Sequence, residues 1–309
     1  MKPLSFIIIT YNRPEDTLEL LKNVRELDKA EDLLQEVIIL NNNSSVDYSA
    51  VKNYISSQAL FPFQFIDSKE NLGVAKGRNY AIQFSTATIL ILLDDDAVLQ
   101  NKDALVQVIN AFENPLTDNR FPNRKPAIVS FKVLYYDTLQ IQVNAFPHKQ
   151  FEKYKNKQSF YTYYYAGGAH AIRREALNEA GNYPEDFFYG MEEYDLSYRI
   201  LDKGYSIIYS DKIVMLHKES PLGRKPTHEK LKMMWVNKGT VAWRYLPKLY
   251  FYTTAIMWSF EFIRKAGVDL KTWVKGWKEI FIIPHNIKRS PVKKETLYYL
   301  KETEARVWY

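Results

Sequence analysis

The stretch Ile89-Leu90-Ile91-Leu92-Leu93-Asp94-Asp95-Asp96 decides the fold class. Five consecutive aliphatic residues predict a strand buried on both faces, as in the middle of a parallel sheet. Three carboxylates follow at its C-terminal end. On an extended backbone Asp94 and Asp96 point one way and Asp95 the other. Carboxylates this close repel, so the cluster calls for a cation or hydrogen-bond donors. Open α/β sheets bind ligands outside the carboxyl ends of their strands. The run therefore points to a divalent-cation site for a phosphorylated or nucleotide ligand. The competing reading is an ordinary acidic turn, since strands often end in Asp; three in a row after a buried run weigh against it.

Outward from this strand, the first half alternates strands and helices. Leu4–Thr10 reads as an apolar strand. Asn12 is placed to cap a helix with Pro14 at its first position and Glu15 and Asp16 in its first turn, where acidic groups suit the helix dipole. Leu18, Leu21, Val24 and Leu27 then recur at helical spacing. Glu36–Leu40 is a second buried strand, running into Asn41-Asn42-Asn43-Ser44-Ser45. A helix around Tyr48–Ser57 leads to a short strand at Phe63–Ile66, and the polar loop Asp67–Asn71 with Gly73 precedes a helix through about Ala75–Ser85. Four strands separated by helices predict a doubly wound, mostly parallel, Rossmann-like sheet with right-handed crossovers.

The middle of the chain is less regular. Ala127–Tyr135 reads as a strand, and Phe146–Tyr165 is polar and rich in aromatics. Tyr161, Tyr163, Tyr164 and Tyr165 form either one packed strand face or a platform for a sugar ring. Gly167-Gly168 marks tight backbone, Arg173–Ala180 a helix closed by Gly181, and Glu192–Lys203 a helix ending at Gly204 before the strand Tyr205–Tyr209. Beyond His217 the chain turns helical, basic and rich in Trp and Tyr. Its longest apolar stretch, Leu249–Phe260, is too short to span a bilayer and reads as a packed helix, with a helix lying in the membrane interface as the alternative.

Composition sets the remaining bounds. The 309 residues contain no cysteine, which excludes disulfides and thiolate metal sites and suits a reducing compartment. Met1–Phe6 enters a strand with no separate signal region, so the expected location is cytoplasmic. The net charge of +6 hides an asymmetry: residues 1–211 carry 22 Lys and Arg against 28 Asp and Glu, a net −6, while residues 212–309 carry 20 against 8, a net +12. The basic end is either a solvated helical surface or a contact for phosphate-bearing partners, including the inner face of the membrane as a peripheral site. Nucleic acid is not expected as a partner, because no recognised nucleic-acid motif accompanies the charge.

Four clusters fall at strand ends or helix starts, where such a sheet lines one crevice: Thr10-Tyr11-Asn12-Arg13, Asn41–Ser45, Asn71–Asn79 and Asp94–Asp96. A helix start with Lys76 and Arg78 suits a diphosphate, and Asn41 offers donor and acceptor groups to a planar base. A G-x-G-x-x-G dinucleotide motif is absent from the sequence.

In the order Ser5–Arg13, Glu36–Ser45, Glu70–Ala81 and Leu92–Val98, the chain resembles the donor-binding half of the family-2 inverting glycosyltransferases with the GT-A fold. Gly167–Ala176 is similar to that family's small-residue acceptor-side stretch. Phe187–Arg199, containing Glu192-Glu193, resembles its acidic catalytic motif, and Val214–His217 the strand that delivers a metal-binding histidine. The resemblance spans about residues 4–220, a catalytic domain over 1–220 followed by a helical, basic extension over 221–309.

The resemblance implies an inverting, metal-dependent transfer of a sugar from a nucleotide-diphosphate donor to a saccharide or lipid-linked acceptor. UDP is the default nucleotide, with dTDP or GDP as alternatives, and Mn2+ or Mg2+ the implied metal. Thr10, Tyr11, Asn12, Arg13, Asn41, Lys76 and Arg78 would hold the nucleotide, with Asp94 and Asp95 by its ribose and diphosphate. Asp96 and His217 would bind the metal, and Glu193, or Glu192 beside it, would be the base. The chain departs from the family in having Asn41 for the usual Asp, Asn43 for a common Gly, and Glu for Asp at the base. A non-catalytic nucleotide-sugar-binding protein would keep the same crevice, and a basic nucleic-acid binder ranks last.

Overall fold

Aliphatic runs buried on both sides build the first half of the computed structural model, which describes residues 1–114, 116, 120–187, 190–219 and 227–308. Strand β1 (Leu4–Thr10) is followed by helices α1 (Pro14–Arg25) and α2 (Ala30–Leu33) and strand β2 (Leu34–Asn41). Then come α3 (Ser49–Ser57), β3 (Phe63–Asp67), α4 (Gly73–Ile82) and β4 (Ile89–Asp94). β1 lies between β2 and β4, with β3 outside β2, and all four strands are parallel. Helices cover this half, which is why its inner strands read as continuous hydrophobic runs.

The second half adds β5 (Ala97–Leu99), α5 (Ala104–Glu113), β6 (Pro126–Tyr135), α6 (Phe151–Tyr154), β7 (Ser159–Thr162), β8 (Ala169–Arg173), α7 (Arg174–Ala180), α8 (Glu192–Asp202) and β9 (Ser206–His217). The sheet runs β3-β2-β1-β4-β8-β6-β9-β5, with β7 also paired to β9. β8 is antiparallel to both β4 and β6, while β6 and β9 are parallel to each other. The parallel half thus matches the expectation and the sheet as a whole is mixed. The antiparallel β8 brings the Gly167-Gly168 turn against the carboxyl end of β4, where Asp94 N–H donates to the Gly168 carbonyl at 3.1 Å.

Two sequence expectations differ from the structure, and burial decides between the two readings of the tyrosine cluster. Tyr205–Tyr209 and Val214–His217 belong to one strand, β9, and the polar Asp211-Lys212 between them sits where the register against β6 shifts between Phe131 and Lys132. Asn12 does not cap α1; it takes a left-handed φ of 58° and its side chain accepts from Ser45 N–H at 2.8 Å, leaving Arg13 at the cap position. Tyr161, Tyr163, Tyr164 and Tyr165 are all buried in the core, so they offer no open platform to a sugar. Phe188 and Tyr189 of the acidic motif, and the boundary expected at 220/221, lie outside the described residues.

The C-terminal helices are α9 (His228–Tyr245), α10 (Lys248–Ala266), α11 (Leu270–Asn286) and α12 (Lys294–Glu302). Trp235 of α9, fully buried, donates its indole N–H to the Ala255 carbonyl of α10 at 3.0 Å. Gly276 of α11 lies so close to that indole that a Cβ there would fall 2.4 Å from a ring carbon. Tyr299 of α12 reaches the sheet, its hydroxyl donating to the Thr162 carbonyl at 2.9 Å. One hydrophobic core therefore runs from β1 to α12. Among the described residues no helix is long and apolar enough to cross a membrane.

Asp195 ties α8 to α9. Its side chain, 2 % exposed, accepts from Arg199 Nε at 2.8 Å, Arg244 Nη1 at 3.0 Å and Tyr245 Oη at 2.8 Å. Replacing Asp195 by Ala removes one partner from each of two half-buried guanidinium groups, which keep Asp186 and the carbonyls of Ala180, Gly181 and Asn182, and costs about 1–3 kcal/mol. Urea denaturation of Asp195→Ala is expected to give a loss of that size with an unchanged m-value; stability equal to that of the parent would refute the assignment.

Candidate active site

The carboxyl ends of the parallel strands open on a crevice of about 1070 Å³. Tyr11, Asn12 and Arg13 after β1 form one wall, with Asn42 after β2 and Asn71, Gly73 and Arg78 at the start of α4. Asp94, Asp95 and Asp96 form the floor beside His217 at the end of β9, and Lys230 of α9 stands at the rim. Each position is a strand end or helix start because there the chain leaves the sheet with backbone and side-chain groups free for a ligand.

β4 ends at Asp94, so Asp95 and Asp96 lie in the turn beyond it, where the fold and not strand alternation sets their directions. Asp95 accepts from Tyr11 N–H and from Arg13 Nη1, each at 3.2 Å, and the same Arg13 nitrogen also bonds Asp96. Burial, with Asp96 and Asp94 adding to it against Arg13, pushes the Asp95 carboxyl up to about 6. Asp94, Asp96 and His217 each offer a ligand atom, and these atoms lie within 4.8 Å of one another. Asp94 thus joins Asp96 and His217 as a candidate ligand, a place the sequence alone did not give it.

The hydrogen bonds of His217 test whether a cation fits. Gln142 donates its amide N–H to Glu219 at 2.6 Å, which turns its Oε1 toward His217 Nδ1 at 2.9 Å. His217 Nε2 faces Asp96 Oδ1 at 3.1 Å. Both ring nitrogens therefore point at oxygen acceptors, an arrangement satisfied by an imidazolium or by a metal replacing the proton on Nε2. Burial lowers the His217 pKa, but the bond to and charge of Asp96, with Asp94 and Glu219, outweigh it and leave it raised. Burial in turn raises Asp96, while His217 and Arg13 outweigh that and hold it low. Two carboxylates and an imidazole form an O,O,N donor set suited to Mn2+ or Mg2+ supplemented by donor phosphates, and Gln142 would fix the imidazole from behind.

A second acidic centre lies across Arg78. This guanidinium, 7 % exposed, donates to the Gly167 carbonyl at 2.8 Å and stands 3.9 Å from Asp94 and 3.7 Å from Glu193. Glu193 and Asp94 approach through the Gly167-Gly168 turn: a Cβ on Gly167 would lie 1.9 Å from Glu193 Oε1, and one on Gly168 1.9 Å from Asp94 Oδ2. Burial first, and Glu192 second, push the Glu193 carboxyl above the ordinary glutamate range, against the pull of Arg78. Glu192 is buried beside it, near enough to act on both Glu193 and Arg78, and its Oε2 has no hydrogen-bond partner among the described residues.

The other expected donor-site residues divide. Tyr11, Asn12, Arg13 and Arg78 line the crevice. Thr10 is fully buried, its hydroxyl bonded to Thr17 at 2.7 Å and Tyr48 at 2.6 Å. Asn41 donates to Asp67 at 2.8 Å and accepts from Ser44 N–H at 3.1 Å, so both ends of its amide are engaged. Lys76 is exposed on α4, outside the crevice lining. Asn42 takes the inner position instead, accepting from Leu72 N–H at 2.8 Å and donating to Asn71 at 3.1 Å. The Asn41–Asn43 run signals the loop but not which of its members faces inward. Gln142 carried no signal at all, being brought to His217 by folding. Asn43 adopts φ 61°, the conformation that the glycine common at this position would take without cost.

A neutral imidazole is needed for coordination, so metal and proton compete at His217. With the His217 pKa raised, manganese affinity is expected to climb with pH through and above the ordinary histidine range, with a proton released on binding. Calorimetric titration with MnCl2 in buffers of different ionisation enthalpy measures both. Binding that is flat with pH, or undiminished in His217→Ala, would remove His217 from the ligand set.

The sequence matches the family described as glycosyl transferase family 2 over residues 5–181. It is 30 % identical over 182 residues to an uncharacterised protein of Haemophilus influenzae, covering 59 % of this chain and 92 % of that protein. The fold is similar to that of the mannosyltransferase PcManGT from Pyrobaculum calidifontis, solved with GDP-Man and Mn2+, with a TM-score of 0.58, 17 % identity, and 100 % of this chain and 85 % of that one covered. It is also similar to GalNAc-T7, solved with UDP, GalNAc and Mn2+, with a TM-score of 0.63, 18 % identity, and 98 % and 57 % of the two chains covered. The acidic strand end, the crevice and the sheet that frames them thus agree with the sequence match: this chain belongs to glycosyl transferase family 2 and is a glycosyltransferase with the GT-A fold.

Proposed function

We propose that the protein transfers a sugar from a nucleotide diphosphate, UDP first among the candidates, to a hydroxyl of a saccharide or lipid-linked saccharide, with inversion at C1. The observation that carries this reading is the placement of Glu193 across Arg78 from the Asp94–Asp96–His217 cluster. The cluster and the crevice would take the donor's diphosphate and nucleoside, and Glu193 would stand on the acceptor side of the sugar. The acceptor oxygen attacks C1 as its proton passes to Glu193, and the bond from C1 to the diphosphate oxygen breaks. A divalent cation held by Asp94, Asp96 and His217 would supply positive charge to the departing diphosphate.

Two features of the chain's own residues support these roles. A carboxylate raised by burial is a stronger base than an exposed glutamate. Arg78 keeps it oriented while also facing Asp94, so one guanidinium spans the donor and acceptor sides. Glu193 is preferred to Glu192 as base because only Glu193 reaches Arg78 and the Gly167 turn.

A thermal-shift screen of nucleotide sugars with and without manganese identifies the donor, since only a bound ligand raises the melting temperature. Asp96→Ala is expected to abolish metal-dependent transfer and the manganese-dependent shift while remaining folded; full activity in that variant, or in the parent with chelator, would sink the metal role. Glu193→Gln should retain the donor shift and lose transfer by about 10²- to 10⁴-fold, the usual scale of general-base catalysis. Loss in Glu192→Gln with activity kept in Glu193→Gln would move the base by one residue. With the Glu193 pKa raised, the acid limb of kcat should fall above the ordinary glutamate range, activity rising with pH as the base ionises.

A further inference from the structure

Helices α9, α10 and α11 bury their facing sides and leave an apolar face bare. On α10 the buried set, Phe251, Thr254, Ala255, Trp258, Ser259 and Phe262, packs inward. The opposite side carries Leu249, Tyr252, Ile256, Phe260 and Ile263, spaced at helical period and 67, 55, 49, 62 and 37 % exposed. On α11 Leu270, Val274 and Phe281 repeat the pattern at 63, 44 and 69 %, and Val268 in the turn between the helices is 82 % exposed. Large apolar side chains left exposed at helical spacing along two successive helices mark a contact surface and not ordinary scatter. Lysines flank it: Lys248, Lys271, Lys275 and Lys278 are all exposed. Residues 248–289 hold eight Lys and Arg against three Asp and Glu, a net +5.

We propose that α10 and α11 lie on an anionic lipid surface, with this apolar stripe in the acyl boundary and the lysines on headgroup phosphates. The charge selects this occupant. A second copy docked by two-fold symmetry would set one net-basic segment against another, whereas an anionic bilayer neutralises it. Both helices are amphipathic along their length and neither can cross a bilayer, so they lie in the interface plane. The face also adjoins the crevice. Asp269, in the α10–α11 turn, bonds His228 at 2.8 Å, and Lys230, two residues along α9, lines the crevice. A lipid-linked acceptor would then meet the donor site from the bilayer surface; this last clause rests on the transfer reading above, while the docking itself does not.

Co-sedimentation of the full chain with phosphatidylcholine vesicles, with and without phosphatidylglycerol, tests it. Binding is expected only when phosphatidylglycerol is present, weakening with salt. Lys271→Glu with Lys278→Glu should cut it by about tenfold or more, each lysine near the surface being worth about 1 kcal/mol. Ile256→Ser with Phe260→Ser should also weaken it, at an unchanged melting temperature because both positions are exposed. Absent binding, equal binding to both vesicles, or an apolar double variant that binds vesicles normally but changes the protein from dimer to monomer would overturn the proposal. The donor-dependent thermal shift reads the transfer site separately: vesicle binding without any donor shift would fault that reading and leave this one standing.

Discussion

Carboxylates brought together at the end of one strand repel unless cations hold them, and the site is organised around that constraint. Asp94, Asp95 and Asp96 at the end of β4 meet Arg13 from the β1–α1 turn, Arg78 from α4 and His217 from β9. Each cation comes from a different segment of the chain, so the charge balance exists only when the sheet is assembled. Asp195 obeys the same rule, with Arg199 beside it on α8 and Arg244 and Tyr245 holding it from α9. The helix that carries Glu193 is thereby fixed from behind.

The mixed sheet follows a logic that a fully parallel one would not serve. With β8 antiparallel between β4 and β6, the turn before it arrives at the carboxyl end of β4, and its two glycines leave room for side chains from both directions. Asp94 comes through from the strand and Glu193 from α8. A side chain at either glycine would occupy the space that a carboxylate now fills. Close approach, not an unusual backbone angle, is what these positions require.

The C-terminal helices are bound to this arrangement by packing as well as by charge. Trp235 sits at the centre of the three-helix layer against Phe262 and Trp277, and Tyr299 of α12 reaches the backbone of β9. Lys230 reaches the crevice from the same layer. The basic end of the chain therefore shares a core with the sheet.

Much of this was legible in the residues because burial and periodicity are local. The aliphatic runs at Leu4–Thr10, Glu36–Leu40 and Ile89–Leu93 predict the parallel half, whereas Asp95 and Asp96 fall in the turn after β4, so their directions come from the fold and not from period-two alternation. The acidic motif and His217 were visible as pattern, while the match to glycosyl transferase family 2 covers residues 5–181, ahead of both. What the chain alone does not express is pairing at a distance. Asn41 and Thr10 look like ligand groups until Asp67, Tyr48 and Thr17 are found holding them. Gln142 looks like nothing until it lies behind His217. Strand content and charge are properties of neighbouring residues and so are written in the sequence; which buried polar group faces a partner and which faces the crevice depends on contacts between segments far apart in the chain, and only the tertiary structure decided it.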